Sequence, residues 1–206
     1  MHRRTKASRS FVLVMIGLVT VGVVGVIAVS SVNGSGMGVG REERTRDVQP
    51  MFAYQFEDDR QLIGYASDVF LGRVTAQVGS QGIGSSIPGD VIPQTQFSVE
   101  VQTVIKGQPP AVVTVSQGSG VDSDTGETVL INGDPLLQPG ETVLFATNHE
   151  PDRGWYTIVG GGFGAARASS AGDAAALVTR FQQAAVNAFV PQPIPGYVPE
   201  HAGAAE

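Results

Sequence analysis

The chain contains no cysteine among its 206 residues, and this absence removes several classes of function at once. Without a thiol there is no cysteine nucleophile, no cysteine-ligated zinc and no iron–sulfur cluster. Disulfide bonds, which secreted domains often use, are excluded as well. A bacterial lipoprotein anchor is also excluded, because that lipid is attached to a cysteine. Any folded domain is therefore held together by its core.

Positive charge is scarce after the first 40 residues, where Lys106 is the only lysine. Residues 41–206 contain nine Lys and Arg against nineteen Asp and Glu, which leaves a formal charge of −10. Nucleic-acid binding requires a basic surface that neutralises phosphates, so we expect no nucleic-acid partner. The same acidity disfavours binding along an anionic lipid surface.

Charge is missing altogether from Phe11 to Val32, a run of 22 residues that follows the basic residues 1–10. As a helix, this run would span roughly 33 Å, enough for the hydrocarbon core of a membrane. It predicts a transmembrane helix or signal anchor, with residues 1–10 cytoplasmic and the C-terminal domain extracytoplasmic. The predicted localisation is the cell membrane. The alternative is a secretory signal, because Ala28-Val29-Ser30 fits a small-x-small cleavage site.

The remaining chain divides by composition and periodicity. Glycine-rich residues 33–49 predict a flexible linker, and residues 190–206, with four prolines, predict a disordered tail. Helical spacing predicts a short helix over 52–66 and a C-terminal helix within 169–189, with Asp173 at its start. Residues 79–93 predict a turn-rich loop. Period-two alternation predicts six strands, over 68–78, 95–105, 111–116, 128–131, 141–147 and 155–159, with the last two paired as a hairpin.

Three sequence phrases carry a resemblance to a known family: SDVFLGRV from Ser67, FSVEVQTVIKG from Phe97 and LLQPGETVLF from Leu136. Together they resemble extracytoplasmic OB-fold modules of Gram-positive bacteria that are similar to the netrin-like domain of tissue inhibitors of metalloproteinases. The resemblance implies a mostly β fold. Its core would be a small antiparallel OB-like barrel over residues 50–168, flanked by a short N-terminal and a C-terminal helix and preceded by one transmembrane helix. Those inhibitors act through an N-terminal cysteine, so neither mechanism nor residues are carried over.

One acidic segment is a candidate metal site. Asp122, Asp124 and Glu127 bring three carboxylates within six residues, and oxygen ligands at close spacing suit Ca²⁺. Against calcium, Gly126 and Glu127 stand at the fifth and sixth positions, where an EF-hand loop has Asp or Asn followed by Gly. The alternative is a solvated turn between two strands. We expect no other cofactor.

Two further motifs are candidate catalytic or phosphate-binding sites. His149 is the only histidine between residues 41 and 200, and no Gly-x-Ser-x-Gly stretch accompanies it, so an ordinary histidine at a hairpin tip is favoured. The glycine-rich residues 160–164 follow a strand but lack the Lys and Ser/Thr of a phosphate-binding loop. They predict a bend. We therefore expect no catalytic residue.

Aromatic residues supply the last candidate site. Trp155, Tyr156 and Phe163 form either a ligand face or part of the barrel core, and OB folds bind saccharides or single strands with such residues. The sequence predicts a non-catalytic binding or scaffolding domain of the cell envelope. Its partners would be the membrane, through the segment from Phe11 to Val32, and an envelope protein or saccharide. The alternatives are an envelope enzyme or enzyme inhibitor, or a secreted domain released near Ser30.

Overall fold

The structure, a computed structural model, describes residues 44–50, 52, 54, 56–84 and 91–193. Its architecture is mostly β, with a short helix before the main sheet and a longer helix after it. The helices are α1 (Asp59–Tyr65) and α2 (Ala171–Val186). The strands are β1 (Thr45–Val48), β2 (Asp68–Gly84), β3 (Val91–Lys106), β4 (Val112–Gln117), β5 (Gly120–Val121), β6 (Thr128–Ile131), β7 (Thr142–Glu150), β8 (Trp155–Ile158) and β9 (Ala165–Ala168).

Five strands close into a barrel in the order β2-β3-β4-β8-β7, with β7 pairing back onto β2. Neighbouring strands are antiparallel, except for β4 and β8, which are parallel. The pairing of β2 with β3 shifts register between Leu71 and Gly72, and a Cβ atom at Gly72 would lie 2.5 Å from Cγ1 of Val99, so only glycine fits there. Of the predicted fold class, the mostly β architecture with two helices is confirmed. The likeness to netrin-like modules stays a prediction.

The barrel wall separates two hydrophobic cores, because successive residues of a strand point to opposite faces. Phe70 of β2 lies inside the barrel, with Phe97, Val115 and Phe145. Its neighbours Val69 and Leu71 point outward, into a second core under the two helices. The helices contribute fully buried side chains to this second core, namely Leu62, Ile63 and Phe181.

Both helices begin at a capping side chain. Asp58 precedes α1, and its carboxylate accepts a hydrogen bond from the backbone N–H of Arg60 at 2.9 Å. Ser170 precedes α2, and its hydroxyl accepts one from the N–H of Asp173 at 3.1 Å. Asp173, predicted to cap this helix, therefore lies in its first turn. The helix predicted over 52–66 is confirmed only for its second half.

Residues 45–48 were predicted to be part of a flexible linker, but they form β1. This strand lies parallel to β6 in a small sheet of order β1-β6-β5. Asp47 holds it in place, since its carboxylate accepts a hydrogen bond from the backbone N–H of Gly133 at 2.7 Å. The linker prediction failed because a four-residue strand with three exposed side chains has no hydrophobic alternation.

Two other segments are more ordered than their composition suggested. Residues 79–84 and 91–93, predicted to be a loop, continue β2 and β3 as a paired ribbon. Residues 190–193 were assigned to a disordered tail, yet Pro191 is buried. The chain just before it packs on α1, where a Cβ at Gly64 would lie 2.0 Å from the backbone oxygen of Phe189. Residues 194–206 lie outside the described residues.

The single-pass fold and the cell-membrane localisation are corrected by the structure. Within the described part of the chain, no helix has the length and apolar character needed to cross a membrane. The longer helix, α2, has 16 residues and contains Asp173 and Arg180, whereas a span requires about 20 mostly apolar residues. The segment from Phe11 to Val32, on which the prediction depended, lies outside the described residues. The fold class is therefore mostly β with two helices.

Candidate functional site

Five aromatic side chains form a continuous set of ring contacts on one side of the domain, here named the aromatic strip: Phe52, Tyr54, Phe56, Tyr65 and Phe163. Phe163 and Phe52 have their ring centroids 6.2 Å apart at 80°, and Phe52 and Phe56 have theirs 6.0 Å apart at 73°. Tyr65 continues the strip, with centroid distances of 5.3 Å to Phe56 and 4.8 Å to Tyr54. The strip therefore joins three separate parts of the chain.

A glycine turn provides the space that two of these rings occupy. Gly160 and Gly161, between β8 and β9, have φ angles of +66° and +57°. A Cβ at Gly160 would lie 2.7 Å from Cδ2 of Phe56, and one at Gly161 would lie 3.1 Å from Cζ of Phe52. Residues 160–164 thus form the predicted bend, and their role is to seat aromatic rings.

The ends of the strip face solvent while its centre is anchored. Phe163 is 43% exposed and Tyr65 is 36% exposed, whereas Phe56 is only 6% exposed and belongs to the second core. Burial raises the pKa of Tyr65 above its ordinary value of 10.0, and the nearby Tyr54 adds to this shift. The Tyr65 phenol is therefore a neutral hydrogen-bonding group at physiological pH.

Acidic residues border the strip at the start of α1. Glu57 directly follows Phe56 in the chain and is exposed. Asp58 pairs with Arg60 at 2.6 Å, and this guanidinium lowers the pKa of the carboxyl group. Asp59 receives two hydrogen bonds from Arg180 of α2, at 2.6 and 2.7 Å. The Asp59–Arg180 pair therefore joins α1 to α2, whereas the Asp58–Arg60 pair is local to the start of α1.

The predicted ligand face of Trp155, Tyr156 and Phe163 is not brought together. Tyr156 points into the barrel core, where burial raises its pKa, and Trp155 points to the opposite side of β8. Trp155 is only 7% exposed, and the guanidinium carbon of Arg153 lies 5.5 Å from the centroid of its ring. Phe163 alone is half exposed, and it belongs to the aromatic strip.

His149 and the serine next to it do not form a catalytic pair. The imidazole is stacked on Tyr156, with the ring centroids 4.5 Å apart at 15°. The hydroxyl of Ser67 donates to the Asp68 carboxylate at 2.7 Å and accepts from the backbone N–H of His149 at 2.9 Å. In a triad the imidazole itself would accept the serine proton. The contact therefore fastens the start of β2 to the end of β7.

The acidic segment from Asp122 to Glu127 forms a turn, and its first carboxylate accepts hydrogen bonds from the backbone of the turn. Oδ1 of Asp122 accepts backbone hydrogen bonds from Asp124 at 2.8 Å and Thr125 at 3.1 Å, and these bonds lower the pKa of Asp122. The carboxylates of Asp124 and Glu127 do not converge with that of Asp122 on one point where an ion could bind. Among the described residues, no group of three or more His, Cys, Asp or Glu is placed to hold a metal ion.

A cleft of about 770 Å³ lies between α2 and the barrel. Its lining consists mostly of small side chains, and its one charged residue, Glu141, accepts a hydrogen bond from the N–H of Gln138 at 2.9 Å. Arg167 lies 3.6 Å from the same carboxylate. The Glu141 carboxylate therefore stabilises the segment that precedes β7.

The aromatic strip was not predicted, although the spacing of three of its residues in the sequence pointed toward it. Phe52, Tyr54 and Phe56 alternate with a period of two, which is typical of an extended segment, although they were predicted to lie in a helix. Comparison with known proteins adds no assignment, since no protein-family model and no curated protein matches the chain.

Proposed function

We propose that this chain is a non-catalytic binding domain whose aromatic strip binds an extended, proline-containing segment of a protein partner. The observation that supports this proposal is the unbroken contact of five rings with both ends exposed, Phe163 by 43% and Tyr65 by 36%. Aromatic side chains are enriched at binding surfaces because they offer a large apolar area for a small loss of rotamer freedom. Exposed aromatic rings on a protein surface, here at the two ends of the strip and held by a buried ring between them, are typical of an interaction site.

The geometry of the rings favours a peptide over a saccharide. Phe52 meets Phe56 and Phe163 nearly edge to face, so the strip has ridges and furrows and no broad flat platform. A sugar ring stacks best on an exposed flat face. Proline side chains fit between aromatic ridges, and the preformed polyproline II conformation reduces the entropy lost on binding.

Charge narrows the class of partner further. Glu57 is exposed beside Phe56, and residues 41–206 have a formal charge of −10. An acidic surface attracts a basic segment and speeds its encounter, while it repels an acidic one. The favoured partner segment therefore contains proline together with Arg or Lys.

An array of synthetic peptides tests this proposal with the full-length chain. The peptides share a Pro-x-x-Pro spacing and differ in carrying arginine or glutamate at both flanks, and a parallel array carries oligosaccharides. We expect binding to the arginine-flanked peptides and markedly weaker binding to the glutamate-flanked ones. Binding to the oligosaccharide array alone would overturn the assignment of the ligand class.

Variants locate the binding surface. Phe163→Ala and Tyr65→Ala are each expected to weaken peptide binding by about tenfold or more, because truncated aromatic anchors cost at least about 1.4 kcal/mol. Val104→Ala is the matched control, since Val104 is 44% exposed but lies on β3. Equal losses in all three variants, or no loss in the two strip variants, would contradict the proposed site.

A further inference from the structure

The ribbon formed by β2 and β3 has one strand edge without a partner in the described structure. Residues 79–84 pair with residues 91–96. β2 pairs with β7 only as far as Arg73, and the last backbone bonds on that side join Val74 to Gly140 and Glu141. Beyond Val74, no described strand pairs with this edge of β2. The ribbon therefore presents a row of backbone donors and acceptors.

The two edges of the ribbon differ in how they are protected. Natural edge strands are blunted by charged residues, by proline or by bulges. β3 has Pro93, which lacks an N–H and lies against Gly120. From Val74 to Gly84, β2 has neither a proline nor a charged residue. Its register shifts end at Gly79, so residues 79–84 form a regular, unprotected edge.

We propose that this edge of β2 pairs antiparallel with the same edge of a second copy of the chain, forming a symmetric dimer. Two copies with a formal charge of −10 each over residues 41–206 repel one another over most of their surface. Residues 74–84 of β2 are themselves uncharged, so two copies of this strand pair without like charges directly opposite each other; the nearby acidic residue is Asp122, which lies beside residues 80–82. Antiparallel pairing of identical strands about a two-fold axis is self-complementary, as closed dimers require.

Stability gives a second reason for self-pairing. A two-stranded ribbon is at best marginally stable in water, whereas additional strands make it a sheet. The dimer would join the two ribbons into four consecutive strands. Val78, which is 56% exposed, lies at the register shift just before this edge. This surface is separate from the aromatic strip, so the dimer and the proposed peptide binding are tested independently.

Sedimentation equilibrium of the full-length chain over a range of concentrations tests the dimer. We expect a mass that rises from monomer to dimer, together with slower hydrogen exchange of the amides of residues 79–84 as the dimer forms. Gln81→Lys and Gln81→Glu both place like charges near the two-fold axis. Each should weaken dimerisation by roughly tenfold.

Comparing a positive and a negative substitution at Gln81 distinguishes pairing at this edge from general repulsion between two acidic chains. If general repulsion alone governed association, Gln81→Lys would strengthen the dimer and Gln81→Glu would weaken it. Gln102→Lys is the matched control on the exposed side of β3, and it should leave the dimer unchanged or slightly strengthened. A monomer at every concentration, or opposite effects of the two Gln81 variants, would overturn the proposal.

Discussion

Nζ of Lys106 lies 2.5 Å from the backbone oxygen of Ala66, so the only lysine after residue 40 closes the C-terminal end of α1. The same ammonium group donates a hydrogen bond to the backbone oxygen of Ile63 at 2.7 Å. The last carbonyl groups of a helix have no partner within the helix and favour a cation. Partial burial lowers the pKa of Lys106, and the negative charge of Asp68 opposes this shift. One side chain thus joins β3 to the helix that carries Tyr65.

Replacement of this lysine is expected to destabilise the domain. Lys106→Met leaves the carbonyl oxygens of Ile63 and Ala66 without their charged donor, and the free energy of unfolding should fall by about 2 kcal/mol. Urea denaturation followed by circular dichroism measures this change. Arg73→Met is the control, because Arg73 is exposed and its replacement should change stability by no more than about 0.5 kcal/mol. Equal losses in the two variants would contradict the role of Lys106.

Gly107, the next residue, is expected to tolerate no side chain. Its φ angle is +82°, and a Cβ would lie 2.0 Å from Oδ1 of Asp68. Gly154 has a similar φ angle of +72° but no atom within 4 Å of the corresponding position. Gly154→Ala should therefore cost only the backbone strain of about 1 kcal/mol, whereas Gly107→Ala should cost clearly more. Thermal unfolding of the two variants measures the difference, and similar melting temperatures would contradict the steric argument.

Strand positions could be predicted from the sequence wherever burial follows a period of two. β6 has the predicted bounds, 128–131, and the hairpin of β7 and β8 is confirmed. The ribbon beyond Val78 was missed because glycine and proline, which usually mark loops, interrupt the alternation. β9, with the sequence AARA, was missed because small side chains give no periodic signal and its burial depends on neighbouring elements.

The aromatic strip was accessible from the sequence only in part. Phe163 was among the predicted ligand residues, but its partners were not, because Phe52 and Tyr65 reach it only through contacts between distant parts of the chain. Trp155 and Tyr156 were assigned to the same face although adjacent strand residues point to opposite sides. Spacing shows which residues of one element share a face, but it does not show which elements meet.

The turn that begins at Asp122 is expected to make stability depend on pH under acidic conditions. Backbone hydrogen bonds lower the pKa of Asp122 below its ordinary value of 3.8. A carboxyl group with a lowered pKa in the folded state stabilises the fold above the unfolded-state pKa, and this contribution is lost as the pH falls through the folded-state pKa. Asp122→Asn should therefore be less stable than the unchanged chain at neutral pH, with a difference that shrinks below pH 3.8. Urea unfolding at a series of pH values checks this, and a constant difference would contradict it.

Two phenylalanines of the aromatic strip are expected to separate binding from stability. Phe56 is 6% exposed and packs in the second core, so Phe56→Ala should reduce the free energy of unfolding by about 3 kcal/mol. Phe163 is 43% exposed, and Phe163→Ala should cost about 1 kcal/mol or less while it removes most of the binding to arginine-flanked proline peptides. Urea denaturation and peptide titration of the same two proteins measure both quantities. If Phe163→Ala were as destabilising as Phe56→Ala and bound peptide normally, the strip would be an extension of the core. A large loss of binding at nearly unchanged stability would instead assign the exposed ring to partner recognition, because a side chain that contributes little to folding has its main effect on the ligand.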